Sequence, residues 1–192
     1  MAESGFPPLI LASSSPRRRD LLTEHGYTFR IVPANVEESA PPHLTPSEVV
    51  LENARRKARA VAVQYPEEWV LGVDTEVFFE GEVLGKPTDM EAAFAMLKRL
   101  NGQTHEVYSG VCLIHGAKQE ERCFVEITRV HFHRRSDEEL RAYLARIGPL
   151  DKAGAYAAQD DRGEMIAHFE GSFSNVIGLP MEALAEIVRR ET

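Results

Sequence analysis

Three short strings, Thr45-Pro46-Ser47-Glu48, Thr88-Asp89-Met90-Glu91 and Ser136-Asp137-Glu138-Glu139, each set a hydroxyl three residues ahead of a glutamate and just before a run of periodic apolar residues. That pairing satisfies orphan N–H groups at a helix start, so each string marks a helix N-terminus. Between the helices so marked lie runs rich in Val, Ile and Phe at residues 69–79, 107–114 and 123–132, which read as strands. A chain that alternates in this way has to lay helices against a sheet. The fold class is therefore α/β or α+β, with a mixed sheet flanked by helices.

The remaining elements follow from turn chemistry. Residues 8–13 read as a short buried strand, and Ser14, Ser15 and Pro16 open a helix that runs through Leu21 and Leu22 to about Gly26. Residues 27–32 form a second strand, and the helix begun at Thr45 extends to about Gln64. A hairpin turn is expected at Glu80-Gly81, and the helix begun at Thr88 puts Ala92, Met96, Leu97 and Leu100 on one face. The third helix stops at Gly148-Pro149, residues 151–178 read as a Gly-rich loop region, and residues 180–190 as a last amphipathic helix. With no repeat and no flexible linker, the 192 residues are expected to form a single domain, any second lobe being an insertion at about residues 101–148.

No apolar run reaches the length of a membrane span, and no basic-then-apolar leader opens the chain, so a cytoplasmic protein is expected. The formal net charge of −8 excludes a broad nucleic-acid or anionic-membrane surface. A bound polyanion must therefore be small, which makes local groups of Arg and Lys informative. Cys112 and Cys123 lack metal-site spacing and are expected to be reduced core residues.

One such group is Ser13-Ser14-Ser15-Pro16-Arg17-Arg18-Arg19, where three cations oppose the positive end of a helix dipole at about 0.3–1 kcal/mol each. A bound phosphate chain removes that conflict, taking backbone N–H groups, hydroxyls and guanidinium forks together. Asp74 follows Leu71-Gly72-Val73 at the expected end of a buried strand, where open α/β sheets hold their ligands. A carboxylate there needs a cation or a proton to abstract, and Glu37 and Glu38 after the second strand can complete an oxygen set for Mg²⁺ or Mn²⁺. Lys57, Lys86 in Gly85-Lys86-Pro87, and Lys152 are single cations near turns. His131 and His133 share one side of a strand and read as an exposed face, no further ligand being evident; no Walker loop or Ser-His-Asp order can be assembled.

Five strings in order resemble the Maf family of septum-formation-inhibitor-like proteins: Leu11-Ala12-Ser13-Ser14-Ser15-Pro16-Arg17-Arg18, Gly72-Val73-Asp74-Thr75, Gly85-Lys86-Pro87, Asp151-Lys152-Ala153-Gly154-Ala155-Tyr156, and the stretch from Gly171-Ser172-Phe173-Ser174-Asn175 to Pro180. The resemblance implies an inosine-triphosphate-pyrophosphatase-like fold, an elongated mixed sheet with two lobes and a central cleft, and a homodimer. It implies hydrolysis of a nucleoside triphosphate to monophosphate and pyrophosphate with a divalent metal cation, Mg²⁺ or Mn²⁺. Asp74 matches the family's catalytic acid position, taken as proton acceptor and, with Glu38, as metal ligand. Ser13, Arg17 and Arg18 match its phosphate-end motif, and Lys57 and Lys86 match further substrate-binding positions. Arg17, Thr75 and Gln159 match positions that set substrate preference.

The 151–156 string resembles the branch acting on dTTP and UTP, modified pyrimidine nucleotides included, rather than the branch acting on 7-methyl-GTP. Glu76 and Asp160 depart from that branch, which has an apolar residue and a glycine there. A nucleotide-sensing regulator of septum formation is the non-catalytic alternative, and keeping Asp74 together with the basic set favours catalysis. An aspartyl-phosphate phosphatase is disfavoured because Glu76 stands where the second Asp is required.

Overall fold

The computed structural model describes residues 6–189. In chain order the elements are β1 (Leu9–Leu11), α1 (Pro16–Glu24), β2 (Phe29–Ile31), α2 (Pro46–Ala62), β3 (Trp69–Phe79), β4 (Glu82–Leu84), α3 (Met90–Leu100), β5 (Thr104–His115), β6 (Glu120–Phe132), α4 (Asp137–Ile147), β7 (Ile166–Glu170), α5 (Phe173–Ile177) and α6 (Met181–Arg189). Three single 3₁₀ turns lie between α4 and β7. The strands hydrogen-bond in the order β2-β1-β3-β5-β6-β7, with β4 paired to β3. β1 runs parallel to both β2 and β3, while β4 on β3 and β7 on β6 are antiparallel, so the sheet is mixed as expected. Arg190, the expected end of the last helix, lies outside the described residues. No described helix is long and apolar enough to cross a membrane.

The caps at Thr45 and Ser136 form as read. Each hydroxyl accepts from the N–H three residues on, and Glu48 and Glu139 reach back to the cap backbone. The string at Thr88 works differently: Asp89 is the cap, its carboxylate accepting from Ala92 N at 2.8 Å. The helix starts one residue later in consequence; it buries Leu97 and Leu100 as expected, with Ala93 in place of Ala92 and Met96 partly buried against the same core. Gly148 ends α4 in the left-handed conformation that only glycine adopts without a side-chain clash.

The chain divides into two compact units. The first holds residues up to Thr75, Ser109–Glu126 and the residues from Gly178; the second holds Glu76–Tyr108 and Ile127–Ile177. The second unit is therefore no insertion over 101–148. It starts within β3 and ends at α5, because the long strands β3, β5 and β6 each supply residues to both units. The first unit packs Ile10, Val70 and Cys112 against Ala54, Ala58 and Val61 of α2. The second packs Leu97 and Leu100 of α3 and Leu140, Tyr143 and Leu144 of α4 on Val107, Val130 and Phe132, with Tyr156 from the 151–156 string buried among them.

Two glycines set how closely α2 lies on the sheet. A Cβ on Gly72 of β3 would fall 2.6 Å from Ala58 N and overlap Ala54 O, and one on Gly110 of β5 would fall 2.6 Å from Leu51 N and overlap Val50 O. The helix backbone thus rests on the strand backbone, a contact that any side chain would forbid.

The expectation of reduced cysteines is corrected. Cys112 and Cys123 form a disulfide with a Cα–Cα distance of 4.2 Å. The physical reason is hairpin register: Gln119 N bonds Gly116 O at the turn, and Cys112 lies as many residues before Gly116 as Cys123 lies after Gln119. That places the two directly opposite each other on β5 and β6, where a thiol pair is within bonding reach.

Candidate active site

β1 and β3 pair in parallel up to Leu11 opposite Leu71, and the last bond of that ladder runs from Ala12 N to Leu71 O. Beyond it β1 turns away into the Ser13-Ser14-Ser15 loop while β3 continues, so Asp74 lies within β3 and not at its end. What ends beside it is the neighbouring strand. The loop after β1 and the loop after β2 leave the carboxyl ends of parallel strands, the position where open α/β sheets hold ligands.

Asp74 is 3 % exposed, and both its oxygens are held. Asn53 Nδ2 donates to Oδ2 at 3.1 Å, and Lys57 Nζ donates to Oδ1 at 2.7 Å. Lys57 also donates to Val73 O at 3.2 Å and pairs with Glu38 Oε1 at 2.6 Å. Asn53 and Lys57 stand one turn apart on α2 and so share the face turned to β3. Ser39 N donates to Asn53 Oδ1 at 3.1 Å, which fixes the segment carrying Glu38 against the same helix. Glu37, read as a possible further ligand, is exposed.

Arg18 organises the other half of the first unit's polar set. Its Nη1 donates to Ser13 Oγ at 3.0 Å, its Nη2 to Thr75 Oγ1 at 3.2 Å, and its Nε to Gly178 O at 3.0 Å. Thr75 Oγ1 lies 2.8 Å from Ser109 Oγ and 3.2 Å from Gly178 O. One guanidinium thereby ties the first turn of α1, the Ser13 loop, β3 and the segment before α6. Ser15, the cap residue of α1, makes no side-chain cap bond, and the first turn carries no acidic residue. Arg17 lies beside Arg18 in that turn, half-buried, and Arg19 pairs outward with Asp20 at 2.7 Å.

Of the expected site residues, Ser13, Arg18 and Thr75 form one hydrogen-bonded group and Glu38, Lys57 and Asp74 another, joined through the adjacent positions 74 and 75. Lys86 and Gln159 belong to the second unit, where both are exposed. There Gly154 N bonds Gly85 O at 3.2 Å, so the 151–156 string and the Gly85-Lys86-Pro87 loop are fastened to each other. Lys152 is engaged by Gly148 O and Asp151. Asn175 proves structural: Nδ2 bonds Val107 O at 3.1 Å and Thr128 Oγ1 at 3.0 Å.

Asn53 and Ser109 belong to these groups although no string in the sequence singled them out. Asn53 did carry a signal, since a polar residue four before Lys57 falls on a helix face otherwise filled by Val49, Val50, Ala54 and Ala58.

The donor set suits a hard dication. Carboxylate oxygens of Glu38 and Asp74 lie within 4.8 Å of each other, and Glu76 falls two residues on along the same strand, on the face of Asp74. In this structure the Lys57 ammonium bonds both Glu38 and Asp74, so these oxygens already converge on positive charge.

A family model described as Maf-like protein matches residues 8–191. A dTTP/UTP pyrophosphatase of Pelotomaculum thermopropionicum is 46% identical over 182 residues, covering 95% of each chain. One of Bdellovibrio bacteriovorus is 40% identical, covering 96% of this chain and 98% of its own, and one of Carboxydothermus hydrogenoformans is 43% identical, covering 94% and 97%. Among solved structures, the Ham1 protein of Staphylococcus aureus superposes with a TM-score of 0.53 at 13% identity over 96% of this chain and all of its own. That likeness bears out the expected fold class. The match along nearly the whole chain assigns it to the Maf family.

Proposed function

We propose that the protein is a nucleoside triphosphate pyrophosphatase acting on dTTP and UTP, releasing the monophosphate and pyrophosphate. The observation that carries this reading is Asp74, a buried carboxylate with each oxygen fixed by one donor, adjacent to the group formed by Ser13, Arg18 and Thr75. Relatives of 40–46% identity named for that activity support it.

In the proposed reaction a water oxygen attacks the α-phosphorus and its proton passes to Asp74. The bond from the α-phosphorus to the bridging oxygen breaks, and its electron pair leaves on pyrophosphate. Lys57 and Asn53 hold the carboxylate in one orientation, so little reorganisation accompanies the proton transfer. Ser13, the N-terminus of α1 and the arginines of its first turn would receive the phosphate chain. Mg²⁺ or Mn²⁺, held by Asp74 and Glu38 with Glu76 alongside, would supply neutralisation of charge on the phosphate oxygens when bound. The proposal includes a homodimer, as the family resemblance implies, working in the cytoplasm.

A phosphate-release assay with added inorganic pyrophosphatase, run over a panel of nucleoside triphosphates with Mg²⁺ or Mn²⁺, tests the reading. Phosphate that appears only when the auxiliary enzyme is present, with dTTP or UTP fastest, supports it. Phosphate released without that enzyme, or no turnover of any nucleotide, overturns it.

A further inference from the structure

We propose that His131, His168 and Glu170 form a binding site for a borderline transition dication of the Zn²⁺ type on the edge of the sheet, separate from the residues around Asp74. The register of β6 and β7 sets His131 directly opposite His168 and Arg129 opposite Glu170. Positions 168 and 170 share a face of β7, so one side of this strand pair gathers two imidazoles and a carboxylate. The imidazole rings stack at 3.9 Å between centroids with planes 11° apart, and one donor atom from each of the three residues lies within 4.8 Å of the others.

The second observation concerns one nitrogen. His131 Nε2 is sealed from solvent and makes no hydrogen bond, although Glu170 Oε1 is only 3.3 Å away. On the other side of the ring, Thr104 Oγ1 lies 2.8 Å from Nδ1. In the tautomer whose Nδ1–H donates to Thr104, Nε2 turns its lone pair to the Glu170 carboxylate, the arrangement in which a shared cation binds both; in the other tautomer Nε2–H pairs with Glu170 directly, and the metal must displace that proton. A hydroxyl or carbonyl on the far nitrogen is the usual support for a metal-bound histidine. Two ligands of a tetrahedral zinc, at about 2.0–2.2 Å from the metal, stand about 3.3 Å apart, which is the separation seen here.

His168 closes the third position by a small ring rotation, and a water or outside ligand takes the fourth. Arg129, 3.9 Å from Glu170 and 3.4 Å from Glu106, is the competing cation; its pairing with Glu106 can persist when the metal takes Glu170. A register irregularity between His131 and Phe132 marks this edge, as bulges often do beside binding residues. The sequence showed only His131 and His133, and the ligands that complete the set come from a strand the sequence did not reveal.

The test is a ZnCl₂ titration of the full-length protein against a chromophoric chelator, without reductant so that Cys112 and Cys123 stay paired. It is run on the wild type and on Asp74→Asn, to separate binding at the first unit's carboxylates. One equivalent is expected to persist in Asp74→Asn and to weaken at least tenfold in His168→Ala and in Glu170→Gln, with His133→Ala unchanged. Cobalt(II) at the same site should show four-coordinate ligand-field bands that vanish in His168→Ala. Both affected side chains are exposed, so folding by circular dichroism and turnover with Mg²⁺ should be retained. Equal zinc binding by the wild type and His168→Ala overturns the proposal.

Discussion

Replacing Asp74 with Asn exchanges one carboxylate oxygen for an amide nitrogen and keeps the shape of the side chain. The amide oxygen can still accept from Lys57, and Lys57 keeps its pairing with Glu38 at 2.6 Å, so no buried charge is stranded. Removal of the proton acceptor should lower kcat by a factor on the order of 10²–10⁴ while the fold is retained, with the melting temperature lowered only by the lost bond from Asn53 Nδ2 to the former Oδ2. Steady-state kinetics beside a thermal melt reads both quantities, and full activity in the folded variant would sink the mechanism. Lys57→Ala is expected to behave in the opposite manner. It leaves Asp74 buried without its cation and should cost about 3–5 kcal/mol in urea unfolding.

His105 gives a pH dependence at the same scale. It is buried in the second unit against Phe132 and Tyr156, and desolvation lowers its pKa from 6.5 to about 3, with the nearby His131 adding to the effect. The native state therefore keeps the ring neutral while the unfolded chain protonates it near the ordinary value. Stability from this group is fully present above pH 6.5, falls by about 1.4 kcal/mol per pH unit below that, and levels off near pH 3. In urea midpoints measured from pH 7.5 down to 4.5, the wild type should lose stability relative to His105→Phe as the pH falls. A constant difference would mean that His105 does not stay neutral in the fold.

At the scale of elements, the seating of α2 fixes Asp74, because that one helix carries both Asn53 and Lys57, and in the proposed mechanism it thereby governs the chemistry. Gly72→Ala drives a methyl into the backbone at Ala54 and Ala58, the residues that directly follow Asn53 and Lys57 in α2. The helix must lift, and overpacking of this kind costs about 1–3 kcal/mol or more. The hydrogen bonds from α2 to Asp74 should loosen with it, so kcat should fall by more than KM rises. A variant that lost stability but kept kcat would show that α2 holds Asp74 by some other contact.

What the chain discloses at this scale follows the range of the interactions. Caps at Thr45 and Ser136 are local and were legible, as was β3 from its run of Val and Phe. The start of α3 was misplaced by one residue because Asp89, and not Thr88, makes the cap, while Leu97 and Leu100 of its expected apolar face are buried as read. β7 was hidden: only Ile166 of its five residues is even partly sheltered, so no alternation marks it within a Gly-rich stretch. It exists through its ladder to β6, a non-local term absent from any window of sequence. The disulfide was missed for a related reason, since it depends on the hairpin register and not on spacing. The acidic and basic residues of the site were legible one by one, but their grouping through Arg18 and Lys57 required the fold.

For the whole molecule the open question is which base it accepts, and the family resemblance points to uracil and thymine. An amide side chain can donate to a base carbonyl and accept from an imide N–H, as both bases require, and Gln159 occupies the position where the family sets preference. Gln159 is exposed in the free protein, so a mismatched base costs about 1–3 kcal/mol only once the bound base itself covers the amide. Cytosine presents an amino group in place of a carbonyl, and purines present a different outline altogether. We therefore expect kcat/KM for dTTP and UTP to exceed that for dCTP, ATP and GTP by about tenfold or more, and Gln159→Ala to compress the ranking without abolishing turnover. Asp160, beside Gln159 where the branch has glycine, adds a carboxylate that can accept from an amino group, so CTP is the nucleotide on which the ranking is most exposed, and Asp160→Gly should lower CTP turnover alone. Measuring kcat/KM over all nucleoside and deoxynucleoside triphosphates together with 7-methyl-GTP decides among these outcomes. A maximum at 7-methyl-GTP would move the protein to the other branch of its family, and a flat profile would mean that phosphate recognition by the first unit carries the selectivity and Gln159 none of it.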